Sequence, residues 1–174
     1  MMRHLAQLNI GKLKGGKDDP AMAGFFDNLD RINAAAERMP GFVWRLKDDS
    51  GNATNIPWVG DPAMAVNLTV WESVEALEKF VWQTAHAKIY ARKGEYFEKP
   101  AAPHFVMWWI EAGHIPTLEE ASERLDHLSA HGPSEHAFGW ETAPAAKLWQ
   151  DKEHRPGKVE ATFPSGRATN KRCA

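Results

Sequence analysis

The chain has 174 residues, a formal net charge of −2 and eight tryptophans, which favours one domain with a core large enough to fold. So balanced a charge lacks the basic surface that a phosphate backbone needs, which excludes nucleic acid as an expected partner. The lone Cys173 excludes an internal disulfide, no apolar run reaches the length of a membrane span, and "MMRHLAQLNI" puts Gln7 and Asn9 where a secretory leader is apolar, so a soluble, cytoplasmic protein with no membrane partner is expected.

Leu5, Gln7 and Asn9 alternate with Ala6, Leu8 and Ile10, so His4–Ile10 reads as a first strand. "GKLKGGKDDP" follows as a loop. Gly11, Gly16 and Lys17 imitate a phosphate-binding loop, but Asp18 stands where such a loop needs a hydroxyl, and a flexible basic loop is expected. Asp19 as N-cap and Pro20 at the first helical position open a helix running from Ala21 to about Arg38. Met22, Phe25, Phe26, Leu29, Ile32 and Ala36 recur along it at helical spacing. "MPG" ends it, and "GFVWRLK", Gly41–Lys47, is a second strand.

After the turn-rich "DDSGNATNIPWVGDP", Met64–Trp71 reads as a third strand. Ser73 caps the next helix, whose buried stripe is Val74, Leu77, Phe80 and Val81. Pro103–Ile110 is a fourth strand, apolar at nearly every position, so both its faces should be covered. Thr117 and Glu120 form a capping box before a helix with Leu118, Ala121, Leu125 and Leu128 on one face. A short edge strand is expected around Ala137–Trp140. From Glu141 the composition shifts to Pro, Ala, Lys and Arg, and an irregular tail is expected.

The order strand, helix, strand, strand, helix, strand is the split βαβ pair of a ferredoxin-like antiparallel sheet, an α+β fold, here with an added C-terminal helix. The domain is read as residues 1–140 and the tail as 141–174. Two helices cover one face of such a sheet. The doubly apolar stretch Phe105–Ile110 points to a second sheet on the other face, and so to a homodimer.

His86 poses a positional question. On an uninterrupted helix from Ser73 it would point about 160° away from the Val74, Leu77 and Val81 stripe, into solvent. Thr84 in "QTAHA" offers a second N-cap. A new helix from Ala85 would bring His86, Ile89, Tyr90, Lys93 and Phe97 to one face and favour a neutral imidazole beside free N–H groups. Such a histidine serves as base or hydrogen-bond donor; the plainer alternative is a histidine bonded within the core or an interface. Trp82 and Tyr90 flank it, four residues away on either side. Arg45, inside an apolar strand, is read as a contact for an anionic ligand, against the alternative of snorkelling to an edge. His104 is read as facing whichever cavity the fourth strand lines. His127 and His131 lie opposite the leucine face of their helix and read as a solvated pair. With no HExxH, no cysteine pair and no carboxylate-rich loop, no metal site is expected.

"HLAQLNIGKLK", "DDPAMAGFFDNLDRINAAAERMPGFVWRL", "VNLTVWESVEALEKFVWQTAHA" and "WWIEAGHIPTLEEASERL" resemble a bacterial family of domains of unknown function, number 3291, within the dimeric α+β barrel superfamily. The resemblance spans roughly His4 to Trp140 and brings no established activity. More distant relatives are cofactor-independent monooxygenases of polyketide biosynthesis and haem-degrading monooxygenases. Similarity to the first group implies a place beside the substrate for Asn67 and Trp71, which share one face of a strand, with the amide holding an oxyanion or peroxy intermediate. The alternative is Trp71 as core and Asn67 bonded to backbone. Similarity to the second group implies a haem near Asn9, Phe80 or Trp82, and His86, with the axial position falling nearer Tyr90 than His86.

Catalytic expectations therefore fall on His86, Asn67 and Trp71, and substrate-binding expectations on Asn9, Trp82, Tyr90, Arg45 and His104. The expected function is a small enzyme that needs no organic cofactor and acts on a hydrophobic aromatic or polyketide-like molecule. Monooxygenase-, isomerase- or cyclase-type chemistry would take place in a pocket between sheet and helices. The alternatives are a non-catalytic small-molecule-binding or stress-associated dimer, and a haem-binding or haem-degrading protein.

Overall fold

The computed structural model describes residues 2–59 and 61–142. Strand β1 (Arg3–Lys12) carries the alternation read from the sequence. Asp19 caps a 3-10 turn, Pro20–Met22, by accepting the Ala21 N–H, and the turn leads into helix α1 (Ala23–Glu37). Strands β2 (Phe42–Arg45) and β3 (Met64–Trp71) follow. Helix α2 (Val74–Gln83) starts at Ser73, whose Oγ accepts the Ala76 N–H. Next come α3 (Ala85–Ala91), the single turn α4 (Lys93–Tyr96), β4 (Phe105–Glu111) and α5 (Leu118–His131). The edge strand expected at Ala137–Trp140 is reduced to one bridge, in which Phe138 and Met107 exchange N–H···O bonds of 2.9 and 2.7 Å; a 3-10 turn, Trp140–Thr142, follows it. The tail expected beyond it, with Cys173, lies outside the described residues.

Strand order β2-β3-β1-β4 with antiparallel neighbours is the ferredoxin-like arrangement. The sheet is open. β1 lies inside it, with Gln7 opposite Thr69 and Met107, and Asn9 opposite Asn67 and Phe105. The strand period of two sends Leu5, Trp71 and Met107 to one face and Leu8, Leu68 and Trp108 to the other. The first face packs beneath α1 and α2 through Ile32, Ala36, Leu77, Phe80 and Val81.

The second face corrects an expectation. Both faces of β4 are covered, as its composition requires, but one chain supplies both covers. Ala121 and Leu125 of α5, with Trp58 from the β2–β3 connection, pack on Leu8, Leu68, Val106 and Trp108, and Ala6, Leu8, Val106 and Trp108 have no exposed surface. Each large apolar side chain buried here contributes about 1.5–3 kcal/mol, so a second sheet would have to displace a cover that already stabilises the fold. A polar tie holds α5 in place: Trp108 Nε1 donates to Glu120 Oε1 at 2.8 Å, and His114 Nε2 lies 2.7 Å from Glu120 Oε2. Only half of the capping box forms. Thr117 Oγ1 accepts the Glu120 N–H at 3.1 Å, while the Glu120 carboxylate turns to the sheet because a buried indole N–H needs an acceptor.

Candidate functional site

On β3 one residue breaks the burial: Asn67 is exposed, between buried Val66 and Leu68. Its side chain ends a ladder of hydrogen bonds across the helix-covered face. Trp71 Nε1 donates to Thr69 Oγ1 (2.9 Å), the Thr69 hydroxyl donates to Gln7 Oε1 (2.9 Å), and Gln7 Nε2 donates to Asn9 Oδ1 (3.0 Å). Asn67 Nδ2 donates to the same Asn9 oxygen at 2.8 Å. The indole is a donor only, so Thr69 Oγ1 accepts from it, and the hydroxyl hydrogen is directed to Gln7 Oε1. At the open end this leaves the Asn9 amide hydrogens, one Asn67 amide hydrogen and Asn67 Oδ1 without a partner among the described residues. Two amides thus present donors to a ligand oxygen.

His86 sits where the sequence places a helix break. Thr84 Oγ1 donates to Phe80 O at 2.6 Å, closing α2, and accepts the His86 N–H at 3.1 Å, opening α3. His86 Nδ1 lies 3.3 Å from Val81 O. A carbonyl only accepts, so Nδ1 carries the hydrogen and Nε2 keeps its lone pair. Burial lowers the His86 pKa, and the bond to Val81 only partly restores it; the imidazole is neutral at neutral pH.

Aromatic rings connect this histidine to both ends of the ladder. Phe80 lies 4.9 Å from His86 and stacks on Trp71 at 5.3 Å. On its other side His86 stacks with Tyr90 at 6.1 Å, and Tyr90 meets Trp82 edge-on at 5.2 Å. Trp82 lies 6.3 Å from Trp140, which stacks on Phe105 at 5.3 Å. Phe105 is the cross-strand neighbour of Asn9. The Trp82 indole N–H is buried without a partner among the described residues. Lys93 Nζ donates to Tyr90 Oη at 2.7 Å.

The structure therefore joins Asn9, Asn67 and Trp71 in one network, and His86, Tyr90 and Trp82 in one aromatic chain. Trp71 is fully buried; it anchors the ladder and has no surface to offer a ligand. Arg45 is corrected. Its Nε donates to Glu37 Oε1 at 2.9 Å and its Nη2 to Gly51 O at 2.7 Å, so the guanidinium fastens the β2–β3 connection to α1 and serves the chain's own acceptors. His104 is exposed just before β4 and outside the ladder; partial desolvation of its ring and then Lys93 lower its pKa. Gln7 and Thr69, both buried, were missed as functional residues. The available signal is that each lies two positions from a candidate on the same strand face. Glu78 was missed as well. It stands in the α2 stripe between Val74 and Val81, buried with Oε1 unpartnered among the described residues, and burial followed by Glu75 raises its pKa.

One open cleft lies along Trp58 and α5, and another at the edge of β4 between Arg3, Trp109 and His136. Neither cleft is lined by His86 or Tyr90.

The family described as "Domain of unknown function (DUF3291)" matches residues 4–155. The chain belongs to this family. Among solved structures, NE2512, a protein of unknown function from Nitrosomonas europaea, is 16% identical with a TM-score of 0.45, covering 67% of this chain and 97% of that one. SnoaB, a cofactor-independent oxygenase from Streptomyces nogalater, is 17% identical with a TM-score of 0.40, covering 64% and 95%. Rv0793 from Mycobacterium tuberculosis is 13% identical with a TM-score of 0.41, covering 66% and 99%. No curated protein matches the chain. Among the described residues of this DUF3291 domain, no helix is long and apolar enough to cross a membrane.

Proposed function

We propose that this DUF3291 domain binds a hydrophobic, multi-ring aromatic or polyketide-like molecule against the helix-covered face, with a ligand oxygen on the Asn9 and Asn67 amides. The observation that supports this most is the ladder itself: a buried, directional chain of hydrogen bonds that ends in amide donors at the one exposed position of β3. Such donors stabilise a phenolate or enolate oxygen as charge develops on it. His86, linked to the buried end through Phe80, offers a neutral Nε2 as base. Oxygenation, isomerisation or cyclisation without an organic cofactor is the chemistry this reading assigns.

The test is aerobic incubation with a tricyclic anthrone, following oxygen uptake and quinone formation, alongside binding by tryptophan quenching. Binding with turnover supports the enzyme, and binding without turnover leaves the non-catalytic binding protein. Binding that survives Asn67→Ala and Asn9→Ala unchanged contradicts the site. The homodimer belongs to this reading only in altered form, because α5 and Trp58 occupy the sheet face assigned to the partner. The proposed division at 140/141 falls inside the turn Trp140–Thr142, and Trp140 belongs to the domain through its stacking on Phe105.

A further inference from the structure

Helix α5 ends at Gly132, which adopts a φ of 75° and donates its N–H to Leu128 O at 3.0 Å. That left-handed residue, which favours glycine, sends the chain back along the helix. The turn is then pinned by Ser134, whose Oγ accepts the His136 N–H at 3.2 Å and whose own N–H donates to Ala137 O at 2.8 Å. His136 is thereby laid on α5. Its Nε2 is 2.7 and 3.0 Å from the two Glu123 oxygens, and its ring is 4.5 Å from that of His127. Glu123 and His127 are four residues apart on the helix and share a face. One ligand atom from each of Glu123, His127 and His136 lies within 4.8 Å of the others. His127 is half-buried: its ring lies 4.7 Å from that of His131, the pairing read from the sequence, and also meets that of the third histidine, His136.

We propose that Glu123, His127 and His136 bind a divalent transition-metal ion of the zinc class. Two imidazole nitrogens and one carboxylate oxygen form a borderline-soft set suited to such an ion, with metal–ligand distances of about 2.0–2.2 Å and an open position for water. The three donors need to close by roughly an ångström to reach those distances. The Glu123 and His136 side chains are 55% and 41% exposed and have room to move. The ion replaces the hydrogen bond between Glu123 and His136. It also places the His136 proton on Nδ1, so Arg124 Nη1 must leave that nitrogen while keeping its 3.0 Å bond to His136 O. A neighbouring guanidinium weakens cation binding, which points to micromolar affinity. Glu123 and His127 also line the cleft beside Trp58, Glu119, Ser122 and Asp126. Occupancy would clamp α5 to the segment whose Phe138 bridges Met107 at the edge of β4, joining the cover of the second face to the sheet.

The test uses the full chain, stripped with a chelator and titrated with Zn²⁺ by calorimetry. One ion per chain with a Kd at or below about 10 µM is expected, with at least tenfold weakening in His127→Ala and in His136→Ala. His114→Ala and Cys173→Ser should bind as the parent does. Melting curves without metal establish that each variant folds. Should a variant fail to fold, Co²⁺ added to the parent gives a second reading: paramagnetic broadening centred on Glu123, His127 and His136. Binding weaker than about 1 mM, retained affinity in a folded His127→Ala/His136→Ala protein, loss of binding in Cys173→Ser, or broadening centred elsewhere would each overturn the proposal.

Discussion

Replacing Thr69 by valine tests the ladder at its most buried joint. The two side chains have nearly the same shape, and valine suits a strand at least as well as threonine, so the change is essentially the loss of a hydroxyl. That hydroxyl accepts from Trp71 Nε1 and donates to Gln7 Oε1, both at 2.9 Å, and Gln7, Thr69 and Trp71 are all buried. Without it, an indole N–H and an amide oxygen remain buried and unpaired. Each orphaned group costs about 1–3 kcal/mol, so Thr69→Val should destabilise by roughly 2–6 kcal/mol. For a domain of this size, that corresponds to a fall in Tm on the order of 5–20 °C. Urea unfolding of Thr69→Val, Trp71→Phe and the double variant closes a thermodynamic cycle. Because Trp71→Phe removes one of the two orphans, the double variant should fall short of the sum of the singles by at least about 0.5 kcal/mol. A Thr69→Val protein within about 0.5 kcal/mol of the parent, or a strictly additive cycle, would refute the ladder as a stabilising network.

Burial lowers the His86 pKa, so the folded state binds the proton less readily than the unfolded chain, whose histidines titrate near 6.5. The stability associated with this group is complete above about pH 6.5 and declines as the pH falls toward the folded pKa; histidine NMR titrations should place His86 below that value, and a pKa above it would refute the assignment. Arg45→Met removes the bonds to Glu37 and Gly51 and should cost about 1–3 kcal/mol in urea unfolding without changing ligand affinity; loss of affinity at unchanged stability would return Arg45 to the binding site. Light scattering at micromolar concentration should report twice the 19.5 kDa of one chain, and the dimer should survive mutation of the face that α5 covers; a monomer would refute the homodimer, and a dimer that disappears when that face is mutated would show that α5 yields to a partner.

The parts of the fold legible in the sequence were those encoded locally. The Asp19, Ser73 and Thr117 caps stand where they were read, and Thr84 divides α2 from α3 because its hydroxyl satisfies backbone groups on both sides. What depended on register was harder to see. Gln7 and Thr69 become a pair only when β1 and β3 align, and no spacing within either strand states that alignment. Arg45 looked like a ligand contact because Glu37 reaches it across the "MPG" turn. β4 suggested a second subunit because an apolar face does not say which chain will cover it, and the leucine stripe of α5 is short. His136 escaped notice for the same kind of reason: only the reversal at Gly132 carries it back to Glu123 and His127.

The central claim, that the Asn9 and Asn67 amides receive a ligand oxygen, is tested most directly by following side-chain amide resonances during titration with a tricyclic anthrone. Saturable shifts are expected first at Asn67 and Asn9, then at Gln7, with a smaller displacement of the Trp71 indole N–H transmitted through Thr69, and all of them should vanish in Asn67→Ala. Shifts confined to Trp58 and the α5 cleft, or the same shifts persisting in Asn67→Ala, would contradict the account.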